Sequence, residues 1–233
     1  MKRNSLIFIT IIFLGIAPLG ILNYAHIFLW YTAHHPPKDV DTTKVPIFRT
    51  LNGFKTSIVN KYSYGGVSFG VPWNNVLKET RQGILTLRFG EGINTDHVIT
   101  LATSTAVGQI RSIWLNSGLK GSTELLIRIK NYSNNDLYRE LLYSTPDQSH
   151  LFDFSEEFIF KSMVLTMKGA SMPSSNIYEF FVNDIHGFDF KLQNDNDENH
   201  IVIFFDSSDR VYEFWIFRST QEEVDAIIRS IKI

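Results

Sequence analysis

Hydrophobic positions along this chain change period several times, and each change marks a predicted element. The first 31 residues are apolar with little interruption: Met1, Lys2, Arg3 and Asn4 lead into a run over 6–22 that resumes at Ile27 and closes on Trp30 and Tyr31. From Val67 the alternation Val67, Phe69, Val71 predicts a strand stopped by Pro72, and 84–89 and 97–101 predict two more. The middle is helical in pattern. Ser104 or Thr105 can cap a helix through Leu115 that places Ile110, Ile113 and Trp114 on one face, and Gly118 and Gly121 end it. The stretch 123–130 is ambiguous between helix and strand. Asn134 or Asn135 can cap a helix over 136–143 that stops before Pro146. Asp153, followed three places on by Glu156, caps another helix that reaches Lys168 and is terminated by Gly169 and Pro173.

Four aromatic and β-branched segments follow, 177–182, 188–192, 200–205 and 211–217, separated by the turn-like Asn183-Asp184, the run 194–199 and the run 206–209. They predict an antiparallel meander. Thr220 and Glu223 form a capping box, and Val224, Ile227, Ile228 and Ile231 recur at helical spacing, so the chain closes on an amphipathic helix packed on the sheet. Strands at both ends of a helical middle predict an α+β fold: an N-terminal transmembrane helix, then one antiparallel sheet flanked by helices in an α-β sandwich.

The apolar N-terminal run reads as a membrane anchor. A bilayer core about 30 Å thick needs roughly 20 helical residues, and residues 6–31 supply them. Lys2 and Arg3 precede the run and no basic residue follows until Lys38, which keeps the N-terminus in the cytoplasm and exports the remainder. Trp30 and Tyr31 fall where aromatic belts form. A cleaved signal peptide is the competing reading, but Gly15 and Ala17 are followed by Pro18, while Ala25 has Asn23 and Ala33 has Tyr31 two places before it. Without cysteine there is no lipoprotein anchor. The expected organisation is an anchor over 1–33, a linker over 34–46 opened by His34, His35, Pro36 and Pro37, and a single extracytoplasmic domain over 47–233. The expected location is the bacterial inner membrane, with the domain on the periplasmic side.

Composition narrows the function classes. A net charge of -2, with the 22 basic residues dispersed, leaves no electrostatic footprint for nucleic acid. The absence of cysteine excludes thiol catalysis and thiolate metal sites, and 44% hydrophobic with 14% aromatic content can support a core without disulfides.

Motifs with a chemical meaning fail on context. Gly66-Val67-Ser68-Phe69-Gly70 matches G-x-S-x-G, but Val71 precedes Pro72 and Ser68 falls on the outward side of a strand, so no turn into a helix presents its hydroxyl. The acidic run 194–199 lacks the central glycine and distant glutamate of a calcium loop. His34 and His35 have no third ligand nearby, and His97, His150, His186 and His200 show no metal-ligand spacing; His97 and His200 read as partly exposed structural residues at strand starts. Glu156 and Glu157 suit the first turn of a helix rather than shared acid-base work. Gly90-Glu91-Gly92 and 118–121 lack the lysine of a phosphate loop. Trp114 and Trp215 read as core. No catalytic, cofactor-binding or metal-binding residue is assigned.

The segment Val67-Ser68-Phe69-Gly70-Val71-Pro72-Trp73 resembles the opening of the PsbP-type domain, and Ile227-Ile228-Arg229-Ser230-Ile231 resembles the end of that fold. The run Leu141-Leu142-Tyr143-Ser144-Thr145-Pro146-Asp147 and Gly187-Phe188-Asp189-Phe190 are similar to uncharacterised bacterial exported proteins. The resemblance implies an antiparallel sheet flanked by helices and brings no catalytic residues with it. The function expected is a membrane-anchored extracytoplasmic domain that binds a protein partner or assists envelope assembly, with no nucleic acid and no cofactor. Two alternatives are an envelope hydrolase whose active site is assembled from distant strands, and a binder of a small apolar ligand. The second is suggested by the aromatic density of Phe180, Phe181, Phe204, Phe205, Phe214 and Trp215.

Overall fold

In the computed structural model, residues 24–36, 41–51, 56–81, 84–90, 96–103, 111–112, 123–150, 155–171, 176–192 and 198–233 are described. Among the described residues there are ten strands: β1 (Ile47–Phe48), β2 (Asn60–Tyr64), β3 (Val67–Val71), β4 (Val76–Arg81), β5 (Leu85–Phe89), β6 (His97–Thr103), β7 (Asn176–Val182), β8 (Ile185–Leu192), β9 (Asn199–Phe205) and β10 (Val211–Phe217). The helices are α1 (Tyr24–His34), α2 (Thr123–Asn131), α3 (Asn134–Tyr143), α4 (Glu156–Ser171) and α5 (Gln221–Ser230), with a 3-10 turn at Pro146–Gln148. The chain is α+β, with a mostly antiparallel sheet flanked by helices. Strand order is β1-β7-β8-β9-β10-β6-β5-β4, so the meander β7 to β10 and the earlier strands meet along the β10–β6 pair. Strand β1 lies parallel to β7 at one edge, and β2–β3 form a separate hairpin.

Period-two alternation divides the meander between two cores. Phe180, Val202, Phe204, Phe214 and Ile216 face α5 and the β2–β3 hairpin, where they meet Phe69, Val224, Ile227, Ile228 and Ile231. Ile177, Phe188, Phe190, Ile203, Phe205 and Val211 face the helical middle and meet Leu137, Tyr138, Leu141, Phe160 and Val164. The hairpin is fastened to the C-terminal segment at three points. Ser68 and Lys232 exchange backbone hydrogen bonds of 2.8 Å, Gly70 N–H donates to Ser230 Oγ at 2.6 Å, and Trp73 Nε1 donates to Glu223 Oε1 at 2.8 Å.

Turn and cap chemistry explains most of the element boundaries. Asn183 and Asp184 both take positive φ (47° and 61°), the backbone of the two-residue turn that matches strand twist, and they join β7 to β8. Gly65 and Gly66 do the same between β2 and β3, with φ of 62° and 87°. The capping box expected at Thr220 and Glu223 is present. On α3 the cap is Ser133 rather than Asn134 or Asn135: its hydroxyl accepts from Asp136 N–H at 2.9 Å. The asparagine N–H groups instead donate to the Asp209 carboxylate, at 2.6 and 3.1 Å, so the β9–β10 turn supplies an anion to the helix N-terminus. The ambiguous stretch 123–130 is helix α2. Of the helix expected over 104–115, Arg111 and Ser112 are helical, and the rest, with Trp114, lies outside the described residues. Residues 6–22 of the expected membrane span also lie outside them. Among the described residues no helix is long and apolar enough to cross a membrane.

Lys168 of α4 is buried to 1% exposure, and its Nζ donates to three carbonyls: Lys44 at 2.6 Å, Leu142 at 2.8 Å and Ser144 at 2.9 Å. One cation thus satisfies orphan carbonyls at the end of α3 and fastens the segment before β1. Burial pushes its pKa down to about 8, against an ordinary 10.5. A depressed folded-state value means that the unfolded chain binds more protons between these limits, so stability rises with pH across that window, by at most about 3 kcal/mol. We expect wild type to gain on Lys168→Met as the pH passes from 8 toward 10.5. Denaturation midpoints measured in parallel at both ends of the window check this, and a constant difference would show that Lys168 titrates as an exposed lysine.

Candidate functional site

Besides Lys168 and Asp206, the buried charged residues and histidines among those described form two clusters, one on each face of the sheet. Under α5, Arg49, just after β1, places Nη2 3.0 Å from Asp189 Oδ2 and 2.5 Å from Asp225 Oδ1. His200 Nδ1–H donates to Asp189 Oδ1 at 2.8 Å, and Gln221 Nε2 donates to Asp189 Oδ2 at 2.9 Å and Asp225 Oδ1 at 3.2 Å. The Arg49 guanidinium also lies over the Tyr178 ring, 4.6 Å from its centroid. Burial raises the Asp189 pKa, but the hydrogen bond and charge of His200, with Arg49 and Gln221, outweigh it and hold the carboxyl below its ordinary value. Burial dominates at Asp225 and pushes it up to about 6, with Arg49 and Gln221 opposing. Asp225 Oδ2 and His200 Nε2 have no protein partner among the described residues.

On the opposite face, Glu179 of β7 accepts from His186 Nε2 at 2.7 Å and from the Tyr143 hydroxyl, and Arg139 Nε lies 3.7 Å away. Burial, reinforced by Glu179, pushes the Tyr143 phenol up to about 12, which keeps it a donor. Burial lowers the His186 pKa against the opposing pull of Glu179. On its other side the ring places Nδ1 2.6 Å from Asn135 Oδ1. Tyr143 and Arg139 also line a cleft of about 360 Å³ beside α3, together with Tyr132, Asp136, Glu140, Gln148 and Lys161. The Lys161 charge is met by Glu140 at 2.8 Å.

No protein-family model and no curated protein matches this chain. A carboxylate, an imidazole and a phenol are components of acid-base catalysis, but here they are spent on one another: both ring nitrogens of His186 and both oxygens of Glu179 have protein partners. Among the described residues neither cluster includes a serine, threonine or lysine in the position of a nucleophile. Among the described residues no group of three or more His, Asp and Glu side chains could hold a metal ion.

The residues singled out from sequence fall in separate places. Ser68 is an exposed position of β3, with its hydroxyl 2.9 Å from that of Ser63, and the chain continues through it as a strand. His34 and His35 close α1: each Nδ1 bonds the carbonyl four residues back, Trp30 at 2.8 Å and Tyr31 at 2.9 Å. His97 stacks on Trp73 with ring centroids 4.5 Å apart. His200, expected to be partly exposed, is 1% exposed because its strand lies mid-sheet under α5. Trp215, expected in the core, is 38% exposed and bonds Glu213 on the same strand. Of the aromatic residues that suggested an apolar pocket, Phe180, Phe204 and Phe214 lie in one core and Phe205 in the other, while Phe181 and Trp215 are exposed. Phe204 stacks on Tyr212 and Phe214 on one face, and Phe205 packs against Phe188 and Tyr138 on the other. The sequence reading assigned no residue of the central cluster to a site: His200 was read as structural, and Arg49, Gln221 and Asp225 were not singled out. The one available signal for Asp225 was its place beside Val224 on the apolar side of an otherwise regular amphipathic helix.

Proposed function

We propose that this chain is a single-pass protein of the bacterial inner membrane, with its N-terminus in the cytoplasm, whose α+β domain acts outside the cytoplasm as a non-enzymatic module that binds a protein partner of the envelope. The observation that carries the interaction role is the sheet edge at β1. Ile47, Phe48 and Phe181 are 59%, 59% and 58% exposed, and the Phe48 and Phe181 rings stand 6.1 Å apart. Strand β1 is two residues long, so among the described residues no strand pairs with the rest of the β7 edge, which another chain could meet. Clustered exposed aromatics at an open strand edge are a common anchor for a partner. Closure of the Glu179–His186 pair supports the absence of catalysis, and the apolar run 6–22 supports the tether.

The chain has no cysteine, so Phe181→Cys provides a single reactive probe. In cells with an intact cytoplasmic membrane, an impermeant maleimide should label it, and a thiol-linked benzophenone should give one discrete protein adduct that Phe48→Ser weakens. Labelling only after lysis would place the domain in the cytoplasm, and the absence of an adduct would remove the interaction role.

A further inference from the structure

The sequence of α1, Tyr-Ala-His-Ile-Phe-Leu-Trp-Tyr-Thr-Ala-His, carries apolar residues on every side. One side packs against α4: Ala33 is fully buried, and Thr32 Oγ1 lies 2.9 Å from Thr166 Oγ1. The other side leaves Ile27 46%, Phe28 51% and Tyr31 55% exposed. Elsewhere this chain writes amphipathic helices where water is the neighbour. On α3, Asp136 and Arg139 point outward while Leu137, Tyr138, Leu141 and Leu142 are buried, and on α5 Glu222 is exposed while residues 224–228 are buried. A helix that is apolar all round has a non-aqueous neighbour on its outer face.

We propose that this neighbour is the lipid bilayer, and that α1 seats the domain directly on the membrane surface; the inference rests on the membrane anchoring proposed above. The length of chain up to the first turn of α1 supports this occupant. Roughly 20 apolar residues cross a bilayer core, so the stretch from Leu6 to Ala25 suffices, and Ile27, Phe28, Trp30 and Tyr31 then fall at headgroup depth, where aromatic side chains concentrate. The His34 and His35 rings close the helix on the polar side of that layer. Beyond α1 the chain returns to the same helix α4, where Lys44 O meets Lys168 Nζ at 2.6 Å. With α4 gripped from both directions, the domain has no slack by which to stand away from the bilayer.

The test uses the full chain in vesicles of phosphatidylcholine and phosphatidylglycerol, with a fluorophore on one introduced cysteine and a nitroxide near the headgroup end of the lipid chains. The sites are Ile12→Cys in the apolar run, Phe28→Cys on α1, and Lys61→Cys on the exposed hairpin across the sheet from α4. Labels at Ile12 and Phe28 should be quenched several-fold more than at Lys61, and Thr32→Cys/Thr166→Cys should oxidise to a disulfide within one chain. Quenching at Ile12 but not at Phe28 would leave the anchor intact and overturn the seating. Quenching at neither would overturn the anchoring itself. A Phe28→Cys disulfide linking two chains would give the outer face of α1 to a second copy and also overturn the proposal. Tyr31→Cys provides the same readout should Phe28→Cys disturb folding.

Discussion

Gly187→Ala should destabilise the domain by about 3 kcal/mol or more, the upper end of what overpacking costs. In an open strand the change would help, because alanine is favoured over glycine by roughly 0.5–1 kcal/mol. Here a Cβ would stand 2.4 Å from Phe180 Cζ, 2.6 Å from the Ile203 carbonyl oxygen and 2.9 Å from Phe204 Cβ. Phe180 can turn aside at the expense of its packing. Ile203 O cannot, since it belongs to β9, which is hydrogen-bonded to β8 along its whole length. Sterics therefore outweigh propensity. Phe180→Leu combined with Gly187→Ala should recover part of the loss and leave the part due to Ile203. Thermal unfolding of the detergent-solubilised chain, run as a double-mutant cycle, measures both. A stability change within about 0.5 kcal/mol for Gly187→Ala would mean that β8 and β9 are not held at this separation.

What the sequence made legible was local. The alternation Val67, Phe69, Val71, the dense strands after 176 and the Thr220–Glu223 box each depend on a few neighbouring residues, and each produced the expected element. Strand β2 was missed although Tyr62 and Tyr64, two residues apart and followed by Gly65-Gly66, carry a hairpin signal. Strand β1 gives no local signal at all: two residues become a strand because β7 offers an edge. The buried polar cluster was illegible for the same reason. Arg49 meets Asp189 and Asp225 across 140 and 176 residues of sequence, and no window joins them. Asp189 sits inside an apolar strand pattern, where a charged residue signals a partner without naming it. The cleft beside α3 was equally hidden, since it joins Lys161 of α4 to Arg139 and Tyr143 of α3.

The two aspartates under α5 should respond to pH in opposite directions, and substituting them separately should show it. Asp189→Ala removes the shared acceptor of Arg49, His200 and Gln221 and leaves the guanidinium to Asp225 alone, which should cost up to about 3–5 kcal/mol at neutral pH. The Asp189 carboxyl titrates below its ordinary value, so the stability it contributes is present above the normal carboxylate range and is lost as the pH falls through its folded-state value. Asp225 is the reverse. Its value is raised from 3.8 to about 6, so its contribution is complete below 3.8 and is lost as the pH rises through 6. Asp225→Asn keeps an amide oxygen for Arg49 while removing that loss. It should therefore gain on wild type as the pH rises across this window, by no more than about 3 kcal/mol, reduced by whatever attraction to Arg49 is forfeited. For Asp189→Asn the deficit should instead shrink in acid. Denaturation midpoints across the carboxylate range would give two difference curves of opposite slope. If the Asp225→Asn curve is flat, Asp225 ionises normally and Arg49, rather than burial, sets its charge.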